Sequence, residues 1–418
     1  MGADLVRDSL PRTRIEQPGL EQSLSTLCEE VFSSMQRSDQ RAKGERYARG
    51  LLFAEGRKSM RNIALQLGPG GEGQSMHHFI SSSTWDWRPV REALARHLQL
   101  TVTPAAWVLR SMVVPKAGEH TVGVARRVDP ESGRVVNSQQ SYGLWLASRH
   151  LSSPVNWGLH LPAGWLEDQN RRNRAKIPER QGENTPGECA SRVVLEVAES
   201  WGLPRRPVVL EIGEEDAAPV LTACAAAGVP FLARIGPAAL LTAADSVLPE
   251  RIGQRCSAQG LVSAAAARTL LRPVQWWDPV EDRARTTRVA IVRVQRPQGR
   301  AADRAQVVAA RQGQHRPSWG GPYVNGRRTL TLLGEWSDNR AWPTDFWLTD
   351  LTAPPGKLLR LAKLARRVEQ DAAVVGEEVG LRGFVGRSFE GWHRHTTLAS
   401  VAHAVRVLDA APVEYATA

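Results

Sequence analysis

Cysteine is scarce. The 418-residue chain has four, Cys28, Cys189, Cys224 and Cys256, and no two stand at CxxC spacing. That gives neither a disulfide framework nor a zinc pattern, so a reducing cytoplasm is the expected compartment. Lysine is also rare, supplying only six of the 54 basic residues. No apolar run reaches the roughly 18 residues that a membrane-spanning helix needs. The opening MGADLVRDSLPRTR lacks the apolar core of a signal sequence, so neither insertion into a membrane nor export is expected. Acidic residues are too few to balance the basic ones, 43 against 54, and the net charge is +11.

A basic excess of that size favours a polyanionic partner, nucleic acid first. A GC-rich bacterial genome would also enrich arginine over lysine whatever the function, so charge alone leaves both explanations open. Hydrophobic content of 42% and charged content of 23% are those of a folded soluble protein. The length suits two or three domains.

After a polar arm over residues 1–20, apolar residues at Leu24, Leu27, Val31 and Phe32 predict helix from about Leu20 to Gly50. KSMRNIALQLG (58–68) predicts another helix, with Ser59 as N-cap and Gly68 as stop signal. GPGGEG is a turn. QSMHHFISSSTWDWRPVREALARHL then reads as a short helix, a break, and a second helix starting near Asp86. Helix, glycine turn and helix with exposed Arg and His resemble a helix-turn-helix DNA-binding arrangement; an ordinary helical bundle gives the same pattern.

From residue 105 the periodicity changes to that of strands. AWVLRSMVV, TVGVARRVD and QQSYGLWLAS suggest an antiparallel meander, and NWGLHLPAGW a further strand and turn. A charged loop, EDQNRRNRAKIPERQGENTPG, precedes a helix over about Glu188–Trp201. PRRPVVLEIGEED is a strand running into an acidic turn, APVLTACAAAG a helix and VPFLARI a strand. Three strands, a helix, a strand, a helix and a strand are the outline of a ribonuclease-H-like α/β core, a mixed sheet flanked by helices. Residues 236–345 read as a β-rich insertion, TDFWLTDL as a resumed strand, residues 355–381 as one long amphipathic helix, and the C-terminal stretch as a loop and a final helix. The expected organisation is an N-terminal helical, DNA-binding domain (1–100), the core in two parts (101–235 and 346–418), and the insertion (236–345) between them.

Several dispersed stretches resemble the DDE transposases of bacterial insertion sequences, in the branch with a DDE-superfamily endonuclease domain. They are IALQLGPGGEGQSMHHFISSSTWDWRPVREALA, VPKAGEHTVGVARRVDPESGRVVNSQ, NWGLHLPAGWLED, TTRVAIVRV, GEW and RRVEQDAAVVGEEVGLRGFVGRSFEGWHRHTTL, in the family's order over nearly the whole chain. The resemblance implies three carboxylates holding two Mg²⁺ ions roughly 3.5–4 Å apart, one activating a water or 3′-hydroxyl and the other stabilising the leaving oxygen. Mg²⁺ takes hard oxygen ligands, hence Asp and Glu.

Carried over position by position, that set is broken. Aligned on Pro115 and Lys116, the family's bridging Asp falls on Arg110, followed by Ser111 and Met112. Aligned on AGVPF (227–231), the second Asp falls on Glu211. The third carboxylate, Glu369 in RRVEQD, is retained. The accompanying Tyr, Arg and Lys, which grip phosphate near the cut, fall on Ala372, Ala373 and Gly376. A guanidinium cannot ligate Mg²⁺ and repels it, so two-metal catalysis is expected to fail, with no cofactor unless the chain is active. Arg110 is expected to lie between Glu211 and Glu369 and replace the metal charge.

Expected phosphate contacts are Arg171, Arg172 and Arg174 in RRNR, Arg366 and Arg367, and His393, Arg394 and His395 in HRH, each of which also reads as an ordinary solvated group. Trp85, Trp87, Trp276 and Trp277 suit base stacking or core. Three functions compete: a DNA-binding protein of transposase descent without nuclease activity, regulator or remnant; an active transposase whose missing acid is Glu119 or Asp129; and a protein-interaction module that no longer binds DNA. DNA would place the protein at the nucleoid. A homodimer is compatible with the resemblance, since such transposases often act as dimers on paired ends.

Overall fold

A computed structural model of the chain describes residues 18–66, 72–128, 133–182, 185–268, 271–296, 323–324, 327–337 and 340–411. Leu67, the Gly68 stop signal and Asp129 lie outside the described residues.

Five helices come first: α1 (Pro18–Val31), α2 (Ser38–Phe53), α3 (Met60–Gln66), α4 (Glu72–Ser81) and α5 (Trp87–Thr101). The helical stretch expected from Leu20 to Gly50 is thus two helices, with a turn between Val31 and Ser38. Local capping behaves as its sequence suggests. The Ser59 hydroxyl accepts from the Asn62 amide at 3.2 Å, and the Asp86 carboxylate from the Arg88 amide at 3.0 Å.

Strands β1 (Ala106–Pro115), β2 (Val124–Val128), β3 (Val135–Ala147) and β4 (Ser152–Leu159) follow. They do not form the simple meander expected. At 13 residues β3 is long enough to take two partners on one edge: β2 against its first third and β4 against its second half. Its other edge pairs antiparallel with β1. Strands β5 (Val208–Glu211) and β6 (Phe231–Ile235) then add in parallel. The order β4-β3-β1-β5-β6 is the ribonuclease-H-like core.

Parallel neighbours need crossovers. Helices α6 (Ala163–Leu166), α7 (Gln169–Ala175) and α8 (Pro186–Leu195, continued as a π turn Glu196–Ser200) lead to β5, and α9 (Glu214–Ala227) leads to β6. Helix α7 lies within the segment read as a charged loop. It has little apolar periodicity to betray it and is set by its ends: the Asp168 carboxylate accepts from the amides of Asn170 and Arg171, and Lys176 closes it at φ 54.

The β-rich segment contributes β7 (Leu240–Ala243), β8 (Arg255–Ser257), α10 (Ala258–Ala267), β9 (Arg272–Asp278), β10 (Arg283–Gln295), the short pair β11 (Tyr323–Val324) and β12 (Arg327–Arg328), and β13 (Leu330–Trp336). With β14 (Asp345–Thr349) these strands, β11 and β12 excepted, extend the core sheet: the order runs β6-β14-β13-β10-β7-β8, with β9 paired to β10 beside that path, twelve strands among the described residues. Helix α10 lies so close to β13 that a Cβ on Gly334 would come within 2.1 Å of Val262.

A late helix (Pro355–Ala373) crosses the sheet over β1, β5 and β6. It stops well short of residue 381. A short turn of helix (Val375–Glu378) follows, and Gly380, at φ +69, lets the chain leave it. The last helix (Phe389–Asp409) runs through the interior, with 17 of its 21 residues buried. Alternation along β4 shows the layering. The Trp157 indole donates to Ser400 of the last helix at 2.9 Å, while Gly158, next in sequence, leaves room for Val193 and Cys189 of α8. Helices α1, α2, α4 and α5 pack on the other sides of the last helix, so one apolar cluster extends from Leu20 to Val405.

A polar helix in such a place needs a partner for every group. Arg91 of α5, wholly buried, donates to the Thr397 hydroxyl at 2.7 Å, the Trp157 carbonyl at 2.8 Å and the Asn156 side chain at 3.2 Å. Burial lowers its pKa to about 9. His395 Nε2 meets the Gly380 carbonyl at 2.9 Å, which fixes the proton there. Its Nδ1 therefore accepts from the Tyr47 hydroxyl at 2.9 Å.

Burial lowers the pKa of both His395 and His403 from 6.5 to about 4. Below pH 6.5 the unfolded chain takes up protons that the fold refuses. The stability these groups permit is complete above 6.5 and is lost as pH falls towards 4, by about 2 kcal/mol per histidine at pH 5. Urea midpoints at pH 7.5 and pH 5 should differ accordingly, and His403→Gln should flatten the slope by one proton. Equal midpoints at the two pH values would contradict this account.

Candidate functional site

Arg110 on β1 and Glu211 at the end of β5 are register partners across a parallel pair. Such partners project to the same face of a sheet, here the face under the late helix that carries Glu369. Arg110 Nη2 meets Glu369 Oε1 at 3.5 Å. Glu211 is held by a different cation. Arg234 on β6 places Nη1 2.8 Å from Glu211 Oε1, and its other arm, Nη2, 2.7 Å from Asp345 Oδ1 on β14. Lys363 of the late helix then reaches Glu335 Oε2 on β13 at 2.5 Å and Asp345 Oδ2 at 3.9 Å.

The result is a line of alternating charge across five consecutive strands: Glu369, Arg110, Glu211, Arg234, Asp345, Lys363, Glu335. The expectation that Arg110 sits between Glu211 and Glu369 is met on one side by an ion pair and on the other only by register, because Arg234 has taken Glu211. Reading along the chain missed Arg234, Asp345, Lys363 and Glu335. Their only signal is a charge inside an apolar run, as in FLARI, DFWLT, LLGEW and LAKLA.

The line is wet at one end and dry at the other. The Glu369 side chain is 67% exposed and that of Glu335 is 1% exposed. Burial disfavours the Arg234 charge, but Glu211 and Asp345 together outweigh it and raise its pKa. Burial raises the Glu335 pKa, and Lys363 offsets this only in part.

Two Mg²⁺ ions do not fit these donors. The position that would bridge them is a guanidinium, which has donors and no lone pair to give. Among the described residues no three of His, Cys, Asp and Glu are grouped so as to hold a metal ion. Glu119 is exposed on the loop after β1, where its carbonyl accepts from Arg171 at 3.5 Å.

The expected phosphate contacts divide sharply. His393, Arg394 and His395 are 2–3% exposed and belong to the last helix. In this fold they do not reach phosphate, and the expectation is corrected: Arg394 donates to the carbonyls of Ile80 and Trp85, each at 3.2 Å, and His393 stacks on Trp87. Arg366 pairs with Asp278 at 2.6 Å, and Arg367 with Asp371. Arg172 donates to the carbonyls of Leu166, Glu179 and Gln181 and so staples its own loop. Arg171, over the Trp165 ring, and Arg174, bonded to the Asn170 carbonyl, meet no carboxylate among the described residues. Trp85, Trp87 and Trp276 are buried, and Trp277 lies under Arg149 at 3.7 Å.

Exposure sets what each pair contributes. Lys363→Met strands the Glu335 carboxylate in the interior and should cost about 3–5 kcal/mol, most of it recovered by adding Glu335→Leu. Arg110→Ala, at the wet end, should cost under about 1 kcal/mol. Chemical denaturation of the three variants checks the ranking, and a larger loss at Arg110 than at Lys363 would refute it.

No curated protein matches the chain. A family model described as DDE superfamily endonuclease matches residues 30–256, more than half of the sequence. Arg110 and Glu211 fall within the matched span and Glu369 beyond it. With a ribonuclease-H-like sheet beneath them, the chain belongs to the DDE superfamily endonucleases.

Proposed function

We propose that this protein is a DNA-binding member of its family that does not cut DNA, its metal position being filled by internal ion pairs. The observation that carries the proposal is the double capture of the retained carboxylates, Glu369 by Arg110 at 3.5 Å and Glu211 by Arg234 at 2.8 Å. An ion at that place would have to displace both guanidinium groups, and it would meet their repulsion while doing so. The residues at the family's phosphate-gripping positions point the same way: Ala372, Ala373 and Gly376 offer no cation. DNA as the partner is supported by the family and by the +11 charge. The cations available for it include Arg171 and Arg174, whereas the HRH cluster is spoken for by the core.

Calorimetry should show no saturable Mg²⁺ binding in the millimolar range, and duplex DNA should survive incubation with Mg²⁺ or Mn²⁺. Arg110→Asp should restore Mg²⁺ binding only in part, since Arg234 still holds Glu211. Filter binding to duplex DNA should weaken steeply with salt, with a log–log slope of about −0.9 per phosphate contacted. Metal-dependent cleavage by the unaltered chain would overturn the loss of catalysis. A flat salt response would instead favour a protein-interaction module.

A further inference from the structure

Away from the ion-pair line, the end of β1 and the turn after the late helix enclose an open cleft of about 410 Å³, lined among others by Arg57, Lys58, Pro115, Lys116, Glu377 and Arg382. Among the described residues that line it, four cations face one carboxylate. Lys116 Nζ donates to the carbonyls of Phe384 at 2.6 Å and Arg382 at 3.4 Å. Arg382 gives Nη1 to Glu377 at 3.3 Å and Nη2 to the Val113 carbonyl at 3.1 Å. Lys58 Nζ donates to the Ala54 carbonyl.

Carbonyl oxygens orient an ammonium group but do not neutralise it. The cost is visible at Lys116, whose pKa falls to about 8, first through burial and then through the charges of Arg382 and Arg57. The cluster is also built rather than incidental. Gly380 stands at φ +69, and a Cβ there would lie 2.6 Å from Lys58 Cβ, so the turn can close over Lys58 only as glycine.

We infer that this cleft is a phosphate-binding site, in which a phosphoryl group supplies the negative charge that Glu377, paired with Arg382, does not supply to Arg57, Lys58 and Lys116. Phosphate suits them better than a carboxylate, because it offers more acceptor oxygens and up to two charges to converging donors. The group is either inorganic phosphate or a phosphodiester of DNA; only the second source rests on the DNA-binding reading.

Titration of the full chain with inorganic phosphate in a calorimeter should show one site, weakened about tenfold by Arg57→Ala and abolished by Lys116→Met. Arg57 is exposed, so its variant keeps the test valid if loss of Lys116 disturbs the fold. The same variants are then measured on duplex DNA across salt. A log–log slope shallower by about one unit for each assigns the site to the DNA backbone. Phosphate binding that these variants impair, with DNA affinity unchanged or absent, leaves the cleft as a site for free phosphate and counts against DNA there. No phosphate binding by the unaltered chain, together with no change in DNA slope in either variant, overturns the inference.

Discussion

Arg91 ties three parts of the molecule together. Its guanidinium leaves α5 and bonds at once to the last helix, through Thr397, and to β4, through Asn156 and the Trp157 carbonyl. Its direct oxygen partners are hydroxyl, amide and carbonyl groups, with the Glu196 carboxylate one step away behind Asn156, and burial lowers its pKa to about 9. A buried cation of this kind is costly to leave unsatisfied. The helix, the strand and the N-terminal helices therefore have to be in place together. That fixes the last helix against the sheet, and the last helix in turn steadies the late helix, whose Asp371 carbonyl meets His403 at 3.3 Å.

The charged line is built on that frame. The late helix brings Lys363 and Glu369 to a run of five strands whose order sets Arg110, Glu211, Arg234, Asp345 and Glu335 side by side. Charges that would repel one by one are arranged alternately, so each acid has a base beside it. The buried end gains specificity from this more than stability, since desolvation offsets much of the attraction. The exposed end is held loosely and costs little.

Local patterns were legible in the sequence because they depend on near neighbours. The caps at Ser59 and Asp86, the strands around Arg110 and Glu211, and the family resemblance all lie within short stretches. What depends on distant partners was not legible. HRH looks like a surface cluster until Trp85, Trp87 and Tyr47, all more than three hundred residues earlier, are seen to surround it. Glu211 looks like a free ligand until β6 and β14 bring Arg234 and Asp345 beside it. Helix α7 is specified by its caps, which periodicity does not reveal.

Strand β6 is an inner strand only because β14 lies against it, and 111 residues separate Arg234 from its partner Asp345. Until that later segment emerges from the ribosome, one side of β6 presents bare amides and carbonyls to whatever comes near. The first half of this polypeptide cannot finish its own sheet. That edge of β6 is safe from sticking to its neighbours only once Asp345–Thr349 has folded back to seal the seam.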